Sequence, residues 1–299
     1  MSLKIKQQER QKYEFYDGQI TLEYDPVDHV YLRDGVEVPS VTTVLKIIDK
    51  SAPLMNWAVK LATDKILQSV VFPITNPEEF TALVLKAKGL HRERLEDAGD
   101  IGKLAHDYIE KYIIQQMSPS ADTPPEIEGD KVWNCFRAAL EWMRLHNVHW
   151  VSTERKIYSR TYDFAGTLDG IAFVDSCNDR ECCPTEFKSR RSLIDWKSSN
   201  ALRIDYLFQT AAYQYAIEEE SGDTIEDRWV IRLGKSDGKF EAWHLESGYE
   251  EDFRAFLNCL DLTRSVKSVT LRMKEYRDRI KSKTKKRGQN GKNKSEESN

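Results

Sequence analysis

Two aspartates, each set in an apolar strand-like run, limit the folds open to this chain. Residues 151–158, 161–174 and 192–198 read as three strands with polar connections. The second contains Ala165-Gly166-Thr167-Leu168-Asp169, and 26 residues on the third carries Asp195 within Ile194-Asp195-Trp196-Lys197-Ser198-Ser199. Side chains alternate across a strand, so Asp195 and Lys197 share one face and Trp196 takes the other. With the Asp169 strand as hairpin neighbour, Asp169 sits beside Asp195. Two carboxylates about 4 Å apart repel by roughly 4 kcal/mol at an effective dielectric of 20. A divalent cation removes that penalty, and all-oxygen ligation suits Mg²⁺ or Mn²⁺.

Helical patterns surround these strands. Ser51-Ala52-Pro53 is a helix start, with Leu54, Trp57, Ala58, Leu61, Ala62 and Lys65 at helical spacing. Pro77-Glu78-Glu79 opens a second helix. Residues 100–116 form a third, with Ile101, Leu104, Ala105, Tyr108 and Tyr112 on one face. Residues 118–125 read as a loop, and Val132, Phe136, Ala139, Leu140 and Met143 define another amphipathic helix. A helix over 203–219, strands over 228–233 and 240–245, and a closing helix that turns basic toward Lys281 complete the pattern. Near the N-terminus, residues 19–48 read as short strands, with Asp34-Gly35 as a hairpin turn before Val36-Glu37-Val38. The expectation is an α/β fold: a mixed central sheet flanked by helices, with an N-terminal β-hairpin and helical region. One domain spans 19–281, its strand and helical part over 19–149 and its sheet core over 150–281. Residues 1–18 are expected as an extension.

Hydrophobic residues make up 40% and charged ones 31% of the 299 residues, enough to bury a core. No run approaches the roughly 18–20 apolar residues of a membrane span. The polar start Met1-Ser2-Leu3-Lys4-Ile5-Lys6 lacks a signal-peptide core, so a cytoplasmic location is expected. The net charge of −4 conceals a division. From Arg264 to Asn299 there are 13 Lys/Arg against 4 Asp/Glu, so residues 1–263 carry 32 basic and 45 acidic groups. Residues 282–299 hold no apolar side chain and are expected to be a disordered basic tail, able to hold phosphates without sequence preference. Five scattered cysteines do not suggest a disulfide framework. Cys177, Cys182 and Cys183 fit neither a paired Cys-x-x-Cys zinc site nor a four-cysteine iron–sulfur cluster, and are expected as part of a polar loop without either. Gly234-Lys235-Ser236 lacks the earlier glycine of a phosphate-binding loop, so no ATP site is expected.

Gln209 and Tyr213, four residues apart, share a helix face turned away from the stripe Ile204, Phe208, Ala211 and Tyr215. His106 lies about 140° around its helix from Ile101 and is free to ligate. Asp-x-Lys occurs twice in spirit: Glu186-Phe187-Lys188 offers a competing copy, but it has no apolar strand of its own.

Gly-x-x-Asp, Asp-x-Lys and Gln-x-x-x-Tyr, in that order and with a helical His upstream, resemble the RecB-type exonuclease branch of the PD-(D/E)XK nuclease superfamily. That branch includes phage, CRISPR-associated and mitochondrial genome maintenance exonucleases. Pro39-Ser40-Val41-Thr42 and Trp57-Ala58 are similar to segments of its phage members. The resemblance covers most of 20–260 and implies a restriction-endonuclease-like core. It implies His106, Asp169, Asp195 and the main-chain carbonyl of Trp196 as metal ligands, with Glu154 as a further acidic candidate. Lys197 would be the catalytic lysine, and Gln209 and Tyr213 would organise the site or touch DNA. Ser40, Thr42 and Trp57 are further DNA-contact candidates. The implied activity is Mg²⁺- or Mn²⁺-dependent hydrolysis of phosphodiester bonds from DNA ends, in recombination, repair or phage DNA metabolism. The implied partner is linear DNA, alongside a recombination or single-strand-binding protein, with no membrane. A structure-specific or restriction-like endonuclease has the same site, and a non-cutting DNA-binding protein could keep the same fold.

Overall fold

Alternation and turn chemistry account for most of the strands. The computed structural model describes residues 9–296 apart from 73, 75, 119–126, 180 and 181, with side chains described as far as 281. Four strands, β1 (Gln11–Phe15), β2 (Ile20–Asp25), β3 (Val30–Arg33) and β4 (Val36–Val38), form an antiparallel sheet in sequence order. Asp34 and Gly35 both take positive φ, 51° and 76°, the two-residue turn that matches the twist of a hairpin. β1 corrects the expectation of an N-terminal extension over 1–18. Its register sets Tyr13 opposite Leu22 and Phe15 opposite Ile20, and Phe15 is buried with Leu22.

The second sheet is mixed, in the order β5 (His149–Ser159), β6 (Phe164–Val174), β7 (Arg190–Lys197), β8 (Asp227–Leu233) and β9 (Phe240–Leu245). Neighbours are antiparallel except β7 and β8. That parallel pair requires a crossover, which α5 (Ile204–Ser221) supplies. The expected mixed sheet flanked by helices is therefore present. On one face, α3 (Pro77–Met117) and α4 (Asp130–Leu145) pack over Ile194, Trp196, Trp229 and Ile231. On the other, α5 and α6 (Tyr249–Glu296), with the short α1 (Val41–Val44), cover Ile171 and Leu193. Leu193 and Ile194 enter opposite clusters, as period-2 alternation requires. The small sheet adds a third cluster through Tyr158 and Ala165.

Three helical expectations change. The helices expected from Pro77 and from Asp100 are one helix of 41 residues, since Gly99 and Gly102 weaken a helix without removing its hydrogen-bond donors as proline would. Its buried face is Gly102, Ala105, Ile109 and Ile113, while Leu104 is exposed. α2 (Ser51–Ser69) forms where expected but buries no residue fully. The closing helix continues to Glu296, through most of the segment expected to be disordered. Its Lys and Arg residues are good helix formers, and helical hydrogen bonds need no apolar face. The loop expected over 118–125 lies, apart from Ser118, outside the described residues. Among the described residues, no helix is long and apolar enough to cross a membrane.

Candidate metal and acid–base site

The site forms where β6 and β7 part. Their antiparallel pairing ends at Gly170 with Ile194, and continuing that register sets Asp169 opposite Asp195. β7 remains paired to β8, with Asp195 beside Val230. On the open side, the Trp196 N–H has no partner strand, and Asp169 Oδ2 accepts it at 2.7 Å. A strand residue sends its N–H and carbonyl to the same side, so the Trp196 carbonyl also leaves toward this gap. Alternation holds as expected. Lys197 Nζ lies 2.5 Å from Asp195 Oδ2 on one face, while the Trp196 ring is buried among Trp142 and Trp150 on the other.

His106 reaches the gap from α3. Gly102, one turn earlier, makes this approach possible, because a Cβ there would lie 2.5 Å from Ser198 Oγ just beyond β7. His106 Nδ1 comes to 3.6 Å from Asp169 Oδ1. Glu154 arrives from β5, where continuation of the register places it opposite Asp169. Its φ of 47° is unusual for a non-glycine residue in a strand. Such a conformation costs on the order of 1–3 kcal/mol and persists only where surrounding structure holds it. One ligand atom each from His106, Glu154 and Asp169 lies within 4.8 Å of the others. Asp195 is outside this trio, beside it and held by Lys197 and Gln209.

The α5 residues show the largest departure from the expected geometry. Of the apolar stripe, Ile204 is exposed, but Ala211 is buried and Phe208 and Tyr215 pack half-buried against the same core. Gln209, Ala212, Tyr213 and Ala216 point inward as well, because α5 is the crossover packed directly on the sheet. Gln209 Nε2 donates to Asp195 Oδ1 at 3.1 Å and to Tyr213 Oη at 3.0 Å, which uses both amide hydrogens. Of the two roles expected for this pair, organisation fits and DNA contact does not, since Tyr213 is 2% exposed. Gly166 makes room for the Tyr213 ring, whose Cε1 would stand 2.7 Å from a Cβ at that position.

Burial and mutual repulsion act against all three acids but raise only Glu154 and Asp195. Burial, then Asp169 and Glu110, push Glu154 up to about 7. Burial pushes Asp195 up to about 6, with Asp169 adding to the rise and Lys197 opposing it. Asp195 Oδ2 has no aligned hydrogen-bond donor and meets Lys197 only as an ion pair. Burial also acts against the Asp169 carboxylate, but His106, Lys197 and the Trp196 N–H outweigh it and hold Asp169 below the usual range. Burial pulls His106 and Lys197 down, yet the carboxylates beside them leave both above their ordinary values.

Two carboxylates and an imidazole within ligand-sharing distance, beside a third buried carboxylate at Asp195, fit a hard divalent cation such as Mg²⁺ or Mn²⁺. Ser40 and Thr42 line a neighbouring cleft of about 290 Å³ with Glu154, Lys156 and Tyr213. Ser40 also caps α1 by accepting from the Thr43 N–H. Trp57, 37% exposed on α2, is not among the residues lining that cleft. A larger cavity of about 610 Å³, near Tyr112 and Trp150, holds none of the site's acids.

Two residues at the site escape the sequence reading. Tyr206 places its ring 4.9 Å from Lys197 Nζ, and its spacing of three from Gln209 on α5 was the available signal. Glu110, one turn beyond His106, adds negative charge near Glu154 and had the same kind of signal. The cysteine loop also differs from expectation. Cys177 and Cys183 are buried, and both gather with Cys182 around His146.

No family model matches this chain, and no curated protein matches it. Among solved structures it is similar to one described as "Crystal structure of SSO0001", at 14% identity. That match covers 54% of this chain and 72% of the other, with a TM-score of 0.24, too low to carry a functional argument.

Proposed function

We propose that this chain is a Mg²⁺- or Mn²⁺-dependent deoxyribonuclease of the RecB-type PD-(D/E)XK kind, hydrolysing phosphodiester bonds from DNA ends. The supporting observation is the convergence of His106, Glu154 and Asp169 beside the Asp195–Lys197 pair, at the point where two sheet strands separate. When bound, a divalent cation polarises a scissile phosphate and lowers the pKa of an attacking water. The protein's own groups do the rest. Trp196 N–H fixes Asp169, and Gln209 fixes Asp195. Lys197 keeps its proton and offers a fixed positive charge where phosphate charge develops. Glu154, pushed up to about 7 by burial and its acidic neighbours, would give up its proton on ligating the cation. The 13 Lys/Arg against 4 Asp/Glu from Arg264 onward offer a basic segment for the DNA backbone.

The test is digestion of end-labelled linear and closed circular DNA, single- and double-stranded, with Mg²⁺, Mn²⁺ or chelator. The expected result is metal-dependent loss of linear DNA only, reduced at least about a hundredfold by Lys197→Ala. Cutting of circles would replace the exonuclease with an endonuclease. No cleavage in any metal, by a folded chain that still binds DNA, would refute the catalytic reading.

A further inference from the structure

A second constellation lies away from these acids, at the far end of the same two strands. The loop from β6 to β7 carries Cys177, Cys182 and Cys183, and the last turn of α4 is capped by His146. Asp169 and Val174 are five residues apart on β6, roughly 16 Å at strand rise, so this cluster is remote from the acidic site. Cys177 and Cys183 bring their sulfurs to 3.4 Å. His146 Nε2 lies 3.5 Å from Cys182 Sγ and 3.7 Å from Cys183 Sγ. One ligand atom from each of the four residues lies within 4.8 Å of the other three.

We propose that His146, Cys177, Cys182 and Cys183 bind one structural zinc ion. Zinc–sulfur and zinc–nitrogen bonds of about 2.3 and 2.0–2.1 Å, set tetrahedrally, separate sulfur from sulfur by about 3.7 Å and sulfur from nitrogen by about 3.5 Å. The His146 separations of 3.5 and 3.7 Å match the sulfur–nitrogen figure, the 3.4 Å between Cys177 and Cys183 is slightly under the sulfur–sulfur one, and all four ligand atoms lie within 4.8 Å. A two-iron cluster divides its protein ligands between two metals and spreads them farther apart than this. Four protein donors leave no open position, which makes the site structural rather than catalytic.

The surroundings are those of a ligand set. His146 is fully buried, and its Nδ1 is held 2.8 Å from the Trp142 carbonyl, which leaves Nε2 as the nitrogen facing the sulfurs. The Cys177 N–H donates to Cys183 Sγ at 3.3 Å, a bond that supports a thiolate. Asp175 N–H donates to the His146 carbonyl at 2.9 Å, so loop and helix end are already joined by backbone. A cavity of about 200 Å³ bordered by Cys177 and Cys182 gives an ion a way in. Each ligating thiol releases its proton to solvent as the ion binds, so uptake is coupled to proton release. The ion would tie the loop between the strands carrying Asp169 and Asp195 to the end of α4. The inference does not depend on the nuclease reading, and its test measures no cleavage.

The experiment is elemental analysis of the full chain, purified without a polyhistidine tag, by mass spectrometry. The expected result is about one zinc per chain, lost in Cys182→Ser and His146→Gln and retained in Cys259→Ser. Cobalt exchanged into the native chain should give the intense visible bands of a tetrahedral site and a thiolate charge-transfer band in the near ultraviolet. The native-chain measurements decide the matter even if a variant fails to fold. A chain holding no zinc would overturn the proposal, whether its thiols all titrate free or two are lost to a disulfide. Iron with acid-labile sulfide would overturn it equally.

Discussion

Replacing Gln209 by Met tests whether the buried amide holds Asp195 in its charged form. Met keeps the length of the side chain but removes the Nε2 donor, 3.1 Å from Asp195 Oδ1. Asp195 is 1% exposed, so water does not replace the lost bond. A hydrogen bond to a charged group contributes about 1.5–3 kcal/mol, against about 1 kcal/mol for a neutral pair. Because the ionised form loses more, Asp195 should rise further above its present value of about 6. A difference of about 0.5–2 kcal/mol corresponds to roughly 0.4–1.5 pH units. The sign follows from linkage. A carboxyl raised in the folded state stabilises it most below the unfolded value of about 3.9 and loses that contribution as pH rises through the folded value. The native chain should lose this contribution between about pH 4 and 6, and Gln209→Met should extend the loss above pH 6. Thermal denaturation without added divalent cation, at pH 5 and pH 8, is the assay. At pH 8 the variant should be less stable by about 1.5–3 kcal/mol, and at pH 5 by about 1 kcal/mol. An equal loss at both pH values would show that Gln209 packs without supporting the charge, and would refute the assigned role.

Three further outcomes follow from the same geometry. Gly166→Ala places a Cβ 2.7 Å from the Tyr213 ring and should destabilise by about 1–3 kcal/mol; Tyr213→Leu in the same chain should recover much of the loss in a double-mutant thermal cycle, whereas Tyr213→Phe should not. Glu154, raised by burial to about 7, contributes stability that is present below about pH 4.3 and lost as pH rises through 7; Glu154→Gln should flatten that part of a stability–pH curve. Saturating Mg²⁺ or Mn²⁺ should raise the melting temperature, by an amount equivalent to about 2.7 kcal/mol at a hundredfold excess over Kd. Asp169→Asn should remove that rise while leaving the zinc content unchanged.

Much of the framework is legible in the sequence because its causes are local. Asp34-Gly35 turns the hairpin through its backbone preferences, and the alternation of Asp195, Trp196 and Lys197 follows from the pleat of any strand. The apolar period of α4 likewise predicts its buried face, from Val132 to Met143. The pairing of Asp169 with Asp195 across one hairpin follows from two such strands being neighbours. β1 was missed because Tyr13 and Phe15 become a strand only against their partners in β2.

The remaining features depend on what lies opposite each element. Ile204, Phe208 and Ala211 read as one apolar stripe along α5, but the crossover leaves Ile204 exposed and turns Gln209 and Tyr213 inward along with Ala211. Glu154 has an ordinary strand-edge sequence, and its positive φ belongs to a backbone held by its neighbours. His146 stands 31 residues before Cys177, with an entire hairpin strand pair between them, so spacing gives no hint that they meet. The sequence by itself determined the strands of the central sheet, the Asp34-Gly35 turn, and which face along β7 carries the acid and the lysine. Only the tertiary structure decided which carboxylates, imidazoles and thiols share a site, because burial and electrostatic repulsion depend on distances between segments far apart in the chain.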